Sequence, residues 1–346
     1  YDNRPFVPQV VEKKSRQLLL EVDGMVHALS GMTGKDYDAL FAVLASIESS
    51  VQEEWSGLHR RKTDDLVLPL NKIGLEQMPV VGAKAANLAH IGAELRLPTP
   101  NGFAITIASC QRFLGETGLN TEIDALLAEL ADDDPAQLEG VSRQISERIL
   151  ATPLSKSIRQ AVADAADIFS SEERLAVRSS AIGEDGDISF AGQYTSVLNV
   201  AVSDVTRAYQ QVIASLYSPS ALSYRMHHGL DDRETPMGVL VLAMVQPQYS
   251  GVLYTANPTG DDSESIRIST VAGLGDQLVG GDASPEQMFR LDKKTLTVLE
   301  AKGIAGSAPP QFLEELAGYA LRMEEHYQRS LDIEWAVDTS GDLFIL

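Results

Sequence analysis

From Met237 onward the chain reads as one strand after another. "MGVLVLAMVQ", "SGVLYTAN", "SIRISTV" and "EQMFRLD" are rich in β-branched and aliphatic residues, with turn residues between them. The stretch before this block is the reverse. "IASCQRFLGETG", "NTEIDALLAEL", "DPAQLEGVSRQISERIL" and "SKSIRQAVADAADIF" follow one another as helices, and Asp134 with Pro135 supplies an N-cap and a first-turn proline. This segregation predicts a helix-rich α/β lobe followed by a strand-rich α+β lobe.

Other segments complete the layout. "LVLPL" and "NGFAIT" read as strands around the helix "GAKAANLAHIGAELR". "RLAV" and "YTSVLNV" are strands flanking a long polar loop, and "VSDVTRAYQQVIASLYS" and "SPSALSYRMHHG" are helices. Near the end, Phe312, Leu316, Tyr319, Ala320, Met323 and Tyr327 share one helix face, and "LDIEWAVD" with "DLFIL" closes as a hairpin around "TSG". Residues 8 to 57 form two helices with apolar stripes, Leu18, Leu19, Val22, Val26, Leu29 and then Tyr37, Leu40, Phe41, Leu44, Ile47, Val51, Trp55. This αα-hairpin carries no chemical constellation and reads as a packing or dimerisation element. The charged "HRRKTDD" after it is a linker. The expected divisions are residues 1–62, 63–235 and 236–346.

Charge narrows the partners. Lys and Arg number 28 against 49 Asp and Glu, a net charge of −21, so nucleic acid and anionic membrane gain no general attraction. A phosphate-rich ligand needs a few placed cations and a metal. The one cysteine, Cys110, excludes an internal disulfide and a cysteine zinc cluster; it reads as a small buried residue suited to a reducing, cytoplasmic setting. No apolar run is long enough to span a bilayer, and no membrane partner is expected.

Three places could carry chemistry. Lys84 in "VVGAKAANLAHIG" lies in a helix's first turn, where the dipole repels a cation unless an anion sits there. On that feature alone a solvated surface lysine is the simpler reading. Arg178, at the end of "RLAV", points into "RSSAIGEDGDISFAGQ" and offers bidentate phosphate binding. That loop adds glycine N–H groups at Gly183, Gly186 and Gly192 and hydroxyls at Ser179, Ser180, Ser189, Thr195 and Ser196. Asp332 and Glu334 alternate with Leu331, Ile333 and Trp335, which puts both carboxylates on one strand face. They suit magnesium or simply a solvated edge, and the residues alone leave these even. A Walker A loop, the Rossmann glycine spacing, a metal-spaced histidine set and a G-x-S-x-G elbow are all missing.

Together, "VVGAKAANLAHI", "LPTPNGFAIT", "LAVRSSAIGEDGDISFAGQYTSVLNV", "SGVLYTANP", "AGLGDQLVGGDASPEQM" and "LDIEWAVDTSGDLFIL" resemble a known family. It is the N-terminal nucleotide-binding domain of phosphoenolpyruvate synthases and pyruvate phosphate dikinases, in the family's order over about residues 66 to 346. The resemblance implies an ATP-grasp, with two lobes clamping the nucleotide, preceded here by the hairpin, which lies outside it. It implies that Lys84 contacts ATP phosphates and that Arg178 grips the transferring phosphoryl group. Gly192 and Ser196 match the end of a phosphate loop. Leu242, Met244 and Val245 fall in a hinge whose backbone reads adenine. Glu334 matches an acid that contacts nucleotide and metal, and Asp332 its metal-binding neighbour.

The resemblance further implies Mg2+ with ATP and transfer of the β-phosphoryl to a carrier histidine on another domain, then to pyruvate. The carrier-histidine and pyruvate-binding domains belong to the same parent chain, which is expected to continue past Leu346 with Gln and, two residues later, Arg. The alternatives are a dikinase with an antibiotic or glucan acceptor, and a non-catalytic nucleotide-sensing module. Three positions depart from the pattern: Leu242 where the family often has Gln, Ser269 where it has an acid, and Asp276 where it has Glu.

Overall fold

The computed structural model describes residues 8–33, 35, 37–59, 64–130, 134–181, 194–228, 237–257, 264–275, 278, 284–303 and 311–346. The N-terminal stripes form the expected hairpin of α1 (Pro8–Thr33) and α2 (Asp38–His59). Val26 is buried in its seam, and the His27 ring meets the edge of Phe41 at 4.7 Å.

The first lobe begins with β1 (Val67–Pro69), the short α3 (Met78–Val81), α4 (Ala83–Ala93) and β2 (Gly102–Ile105). Its helical layer is α5 (Ile107–Glu116), α6 (Leu119–Leu127), α7 (Pro135–Ala151) and α8 (Lys156–Ala166). Thr106 caps α5 by accepting the Ser109 N–H, and Asp134 caps α7 by accepting the Ala136 N–H at 3.2 Å. Then come β3 (Arg174–Ala181), β4 (Val197–Ala201), α9 (Val205–Ala214), α10 (Pro219–His228) and β5 (Met237–Ala243). The second lobe holds β6 (Pro247–Tyr254), β7 (Ser265–Ala272), β8 (Gln287–Asp292) and β9 (Val298–Lys302). It ends with α11 (Phe312–Tyr327), β10 (Asp332–Asp338) and β11 (Leu343–Ile345).

Among the described residues two antiparallel sheets form. One has the order β1-β2-β5-β3-β4, the other β11-β10-β6-β7-β8-β9. The first sheet has a core on each face. Phe103, Ile105, Val177, Val239 and Val241 face α5 to α9, while Ala104, Leu240 and Leu242 face α4. In the second lobe α11 covers Ile333, Trp335 and Val337, with the Phe312 ring 5.1 Å from that of Trp335. Segregated helices and strands thus yield the expected mixed α/β (α+β) architecture of two lobes, which fits an ATP-grasp.

Three features differ from the sequence reading. β3 does not stop at "RLAV": Arg178, Ser179, Ser180 and Ala181 continue the ladder opposite Leu240, Val239, Gly238 and Met237. The strand tolerates these hydroxyls because both serines are buried and the Ser180 hydroxyl accepts a backbone N–H. β5 lies in the middle of the first sheet, so the crossing between sheets falls at residues 244–246 rather than at 236. Finally β9 ("VLEAK"), a short edge strand exposed along its length, pairs with β8 and was not read from the sequence. No helix among the described residues is long and apolar enough to cross a membrane.

Candidate nucleotide site

The site starts from a close approach of backbones. Gly82 begins α4 at φ 83°, and a Cβ there would lie 1.7 Å from the carbonyl oxygen of Ser180. A Cβ on Gly238 would lie 2.4 Å from the carbonyl oxygen of Val81. Only glycine at both positions lets the start of α4 settle onto β3 and β5. The buried Ser180 hydroxyl then accepts the Ala85 N–H at 3.0 Å, filling one of the open donors at that helix end from 95 residues away. Lys84 is thereby held at the same helix start, beside the strand that carries Arg178.

Arg178 reaches across to the other sheet. Its guanidinium donates to Oε2 of Glu334 on β10, and both side chains are largely enclosed. Burial alone would raise the Glu334 carboxyl. The charges of Arg178 and Lys84, with the Arg178 hydrogen bond, outweigh it and hold that carboxyl below its ordinary 4.5. Two cations from separate elements therefore converge on one carboxylate between the sheets. Asp332 stands one step along the same face of β10, exposed, while Ile333 and Trp335 enter the core. Leu346 donates its N–H to the Glu334 carbonyl at 3.0 Å, and Ile345 donates to Pro98 at 2.9 Å, so β11 also joins the lobes.

The hinge residues divide. The Leu242 side chain is buried under α4, and its backbone sits inside the ladder, opposite Gly102 on β2 and Ala176 on β3. The Met244 N–H donates to the Arg174 carbonyl at 2.8 Å, and Met244 and Val245 lie half-buried where the chain passes between the sheets. Ser196 is exposed just before β4. Gly192, the rest of the loop from 182 to 193, and Asp276 lie outside the described residues. Ser269 pairs with Val252 in the second sheet.

Sequence reasoning gave Ser180 no more than one hydroxyl among several. Its signal was the pairing of a helix-start glycine with a buried serine, which needs the fold to be seen. A second junction went unnoticed. His90 on α4 and His326 on α11 meet Nε2 to Nε2 at 2.8 Å, close to the Tyr327 ring. Burial, then the neighbouring His326, holds His90 below its ordinary 6.5 against the opposite pull of Glu94 and Glu76.

Two antiparallel sheets joined by a short crossing, with Lys84 and Arg178 drawn toward Glu334 between them, fit the architecture of an ATP-grasp protein. The chain belongs to the family described as "Pyruvate phosphate dikinase, AMP/ATP-binding domain", which matches residues 78–309. It is similar to the phosphoenolpyruvate synthase of Escherichia coli (strain K12), 33% identical over 326 residues, covering 81% of this chain and 41% of that protein. The phosphoenolpyruvate synthase of Aeropyrum pernix is 31% identical over 330 residues, covering 79% and 40%. The chain thus spans about two fifths of the length of these relatives. Among solved structures, D-alanyl-alanine synthetase A of Vibrio cholerae aligns with a TM-score of 0.28 at 13% identity, over 60% of this chain and 52% of that one.

Proposed function

We propose that this chain is the Mg-ATP-binding unit of a phosphoenolpyruvate synthase-like phosphotransferase. The observation that carries the reading is the convergence of Lys84 and Arg178 on Glu334 between the two sheets, in a chain of net charge −21. A protein this acidic binds a triphosphate only where cations are concentrated, and Arg178 binds phosphate oxygens bidentately as readily as a carboxylate. In this reading Lys84 and Arg178 hold the phosphates. Gly192 and Ser196 close over them. The backbone of Leu242, Met244 and Val245 lies along adenine.

Asp332 and Glu334 are hard oxygen donors on one strand face, a set that fits Mg2+. Among the described residues no cluster of three or more His, Cys, Asp or Glu side chains stands ready for a metal, so phosphate oxygens would complete the shell. Bound there, the ion would supply charge neutralisation of the phosphates. The protein's own part is positioning: Ser180 fixes the helix that bears Lys84, and β3 fixes Arg178 against it. A carrier histidine on another domain of the parent chain would receive the β-phosphoryl and pass it to pyruvate. The reduced, buried Cys110 and the use of ATP support a cytoplasmic location.

Isothermal calorimetry with ATP, with and without Mg2+, tests the reading. Saturable one-site binding strengthened by Mg2+ is expected, with no rapid AMP release by the chain alone. No heat of binding at millimolar Mg-ATP would end it.

A further inference from the structure

The helical hairpin uses only part of its apolar surface. Its inner seam is built from Leu19 and Val26 of α1 against Phe41 and Leu44 of α2, all at least partly buried. A second stripe stays in water: Leu18, Val22, Met25, Leu29 and Met32 on α1, with Leu40, Val43 and Ile47 on α2. Met25 is 67% exposed and Met32 85%, in a protein whose remaining large apolar residues are mostly covered. Scattered apolar residues need no explanation, but a continuous row does.

The row has a definite geometry. On α1 the exposed positions are spaced four, three, four and three residues apart, which is the 3.5-residue repeat of a helix seam packed against another helix. On each helix the exposed stripe lies one residue before the inner one, as Leu18 precedes Leu19, Met25 precedes Val26, Leu40 precedes Phe41 and Val43 precedes Leu44. The two helices run antiparallel. The same one-residue offset therefore turns both stripes to the same side of the hairpin. The result is one flat apolar face, two helices wide, with no charged residue among its eight positions.

We propose that this face is the interface between two copies of the chain, which pair their hairpins as an antiparallel four-helix bundle. A helix whose apolar stripe spans two adjacent seams is what each member of such a bundle needs, one seam for its hairpin partner and one for the facing pair. A two-fold axis lets one patch cover itself, so no second complementary surface is required. Covering eight such side chains on each copy removes on the order of 1,000 Å² from water, the size at which a specific interface begins. Copies of a −21 chain repel; α1 balances Lys13, Lys14 and Arg16 against Glu12, Glu21 and Asp23, while α2 adds Asp38, Glu48, Glu53 and Glu54 without a cation, so burial of the apolar face has to outweigh a modest repulsion between hairpins.

Sedimentation velocity of the chain over a concentration series tests the pairing, beside the variant Met25→Glu/Leu29→Glu. Both positions are already exposed, so the change leaves the hairpin's inner seam and the two lobes intact. The wild type is expected to sediment as a dimer and the variant at half that mass, with an unchanged far-ultraviolet spectrum and melting temperature of the lobes. A second measurement uses Met25→Cys with a short bismaleimide. The native Cys110 is buried, with burial pushing its thiol up to about 12, so it stays silent and only the new thiol reports. Met25 is the midpoint of the α1 stripe, and covalent dimers are expected. A wild type that sediments as a monomer at every concentration, or a dimer that the double glutamate variant leaves intact, overturns the proposal.

Discussion

The guanidinium of Arg178 on β3 donates to the carboxylate of Glu334 on β10, a contact between residues 156 apart that ties the first sheet to the second. In the nucleotide-binding reading this pair is what the triphosphate meets. Arg178→Ala removes a charged donor from the phosphates, worth about 1.5–3 kcal/mol for a charge-assisted hydrogen bond. Mg-ATP affinity is expected to fall roughly tenfold to a hundredfold by calorimetry, while adenosine affinity stays near wild type. Equal losses for both ligands would show that Arg178 acts through the fold instead.

Ser180 should behave as a positioning residue. Ser180→Ala leaves the Ala85 N–H without its buried partner, which costs about 1–3 kcal/mol. A lower melting temperature is expected, together with weaker ATP binding and little change toward adenosine, because Lys84 rides on the loosened helix start. Gly82→Ala is the harsher case, since its Cβ would sit 1.7 Å from the Ser180 carbonyl at a positive φ. That variant is expected to lose cooperative unfolding in a thermal melt.

Asp332 separates metal from nucleotide. It is exposed on the strand face that Glu334 shares, and its side chain supports no core contact. Asp332→Asn is expected to leave stability within about 0.5 kcal/mol, as for other surface changes, and to remove most of the Mg2+ enhancement of ATP binding. An unchanged magnesium titration would take Asp332 out of the metal site.

The His90–His326 contact sets an acid dependence. Burial and His326 lower the His90 pKa in the folded state, so below 6.5 the unfolded chain binds more protons than the folded one. Stability is therefore full above 6.5 and declines as pH falls toward the lowered value. Glu334 acts further down: its depressed carboxyl contributes stability above 4.5, which is lost as pH drops through the folded value. Melting curves are expected to show a first decline below about 6.5 that His90→Gln removes, and a second, below 4.5, that it keeps. A first decline that persists in His90→Gln would assign it to another group.

Local pattern carried much of this protein. Helical spacing in residues 8–59 and 107–166, alternation in "LDIEWAV", and the Asp134–Pro135 cap are decided by neighbours a few residues apart, and they recur in the folded chain as read. The candidate residues were legible as types: a lysine at a helix start, an arginine beside a polar loop, two carboxylates on one strand face. Their meeting was not. That Lys84, Arg178 and Glu334 act on one another depends on two glycines letting α4 touch β3 and β5, and on β10 facing β3 across the lobes. The strand that "RSSA" continues and the place of β5 in the first sheet are likewise settled by ladder partners far along the chain, Gly238 for Ser180 and Leu240 for Arg178. Backbone hydrogen bonding and charge act through space. A one-dimensional pattern states which groups can make such contacts, and only the packed structure decides which of them are within reach.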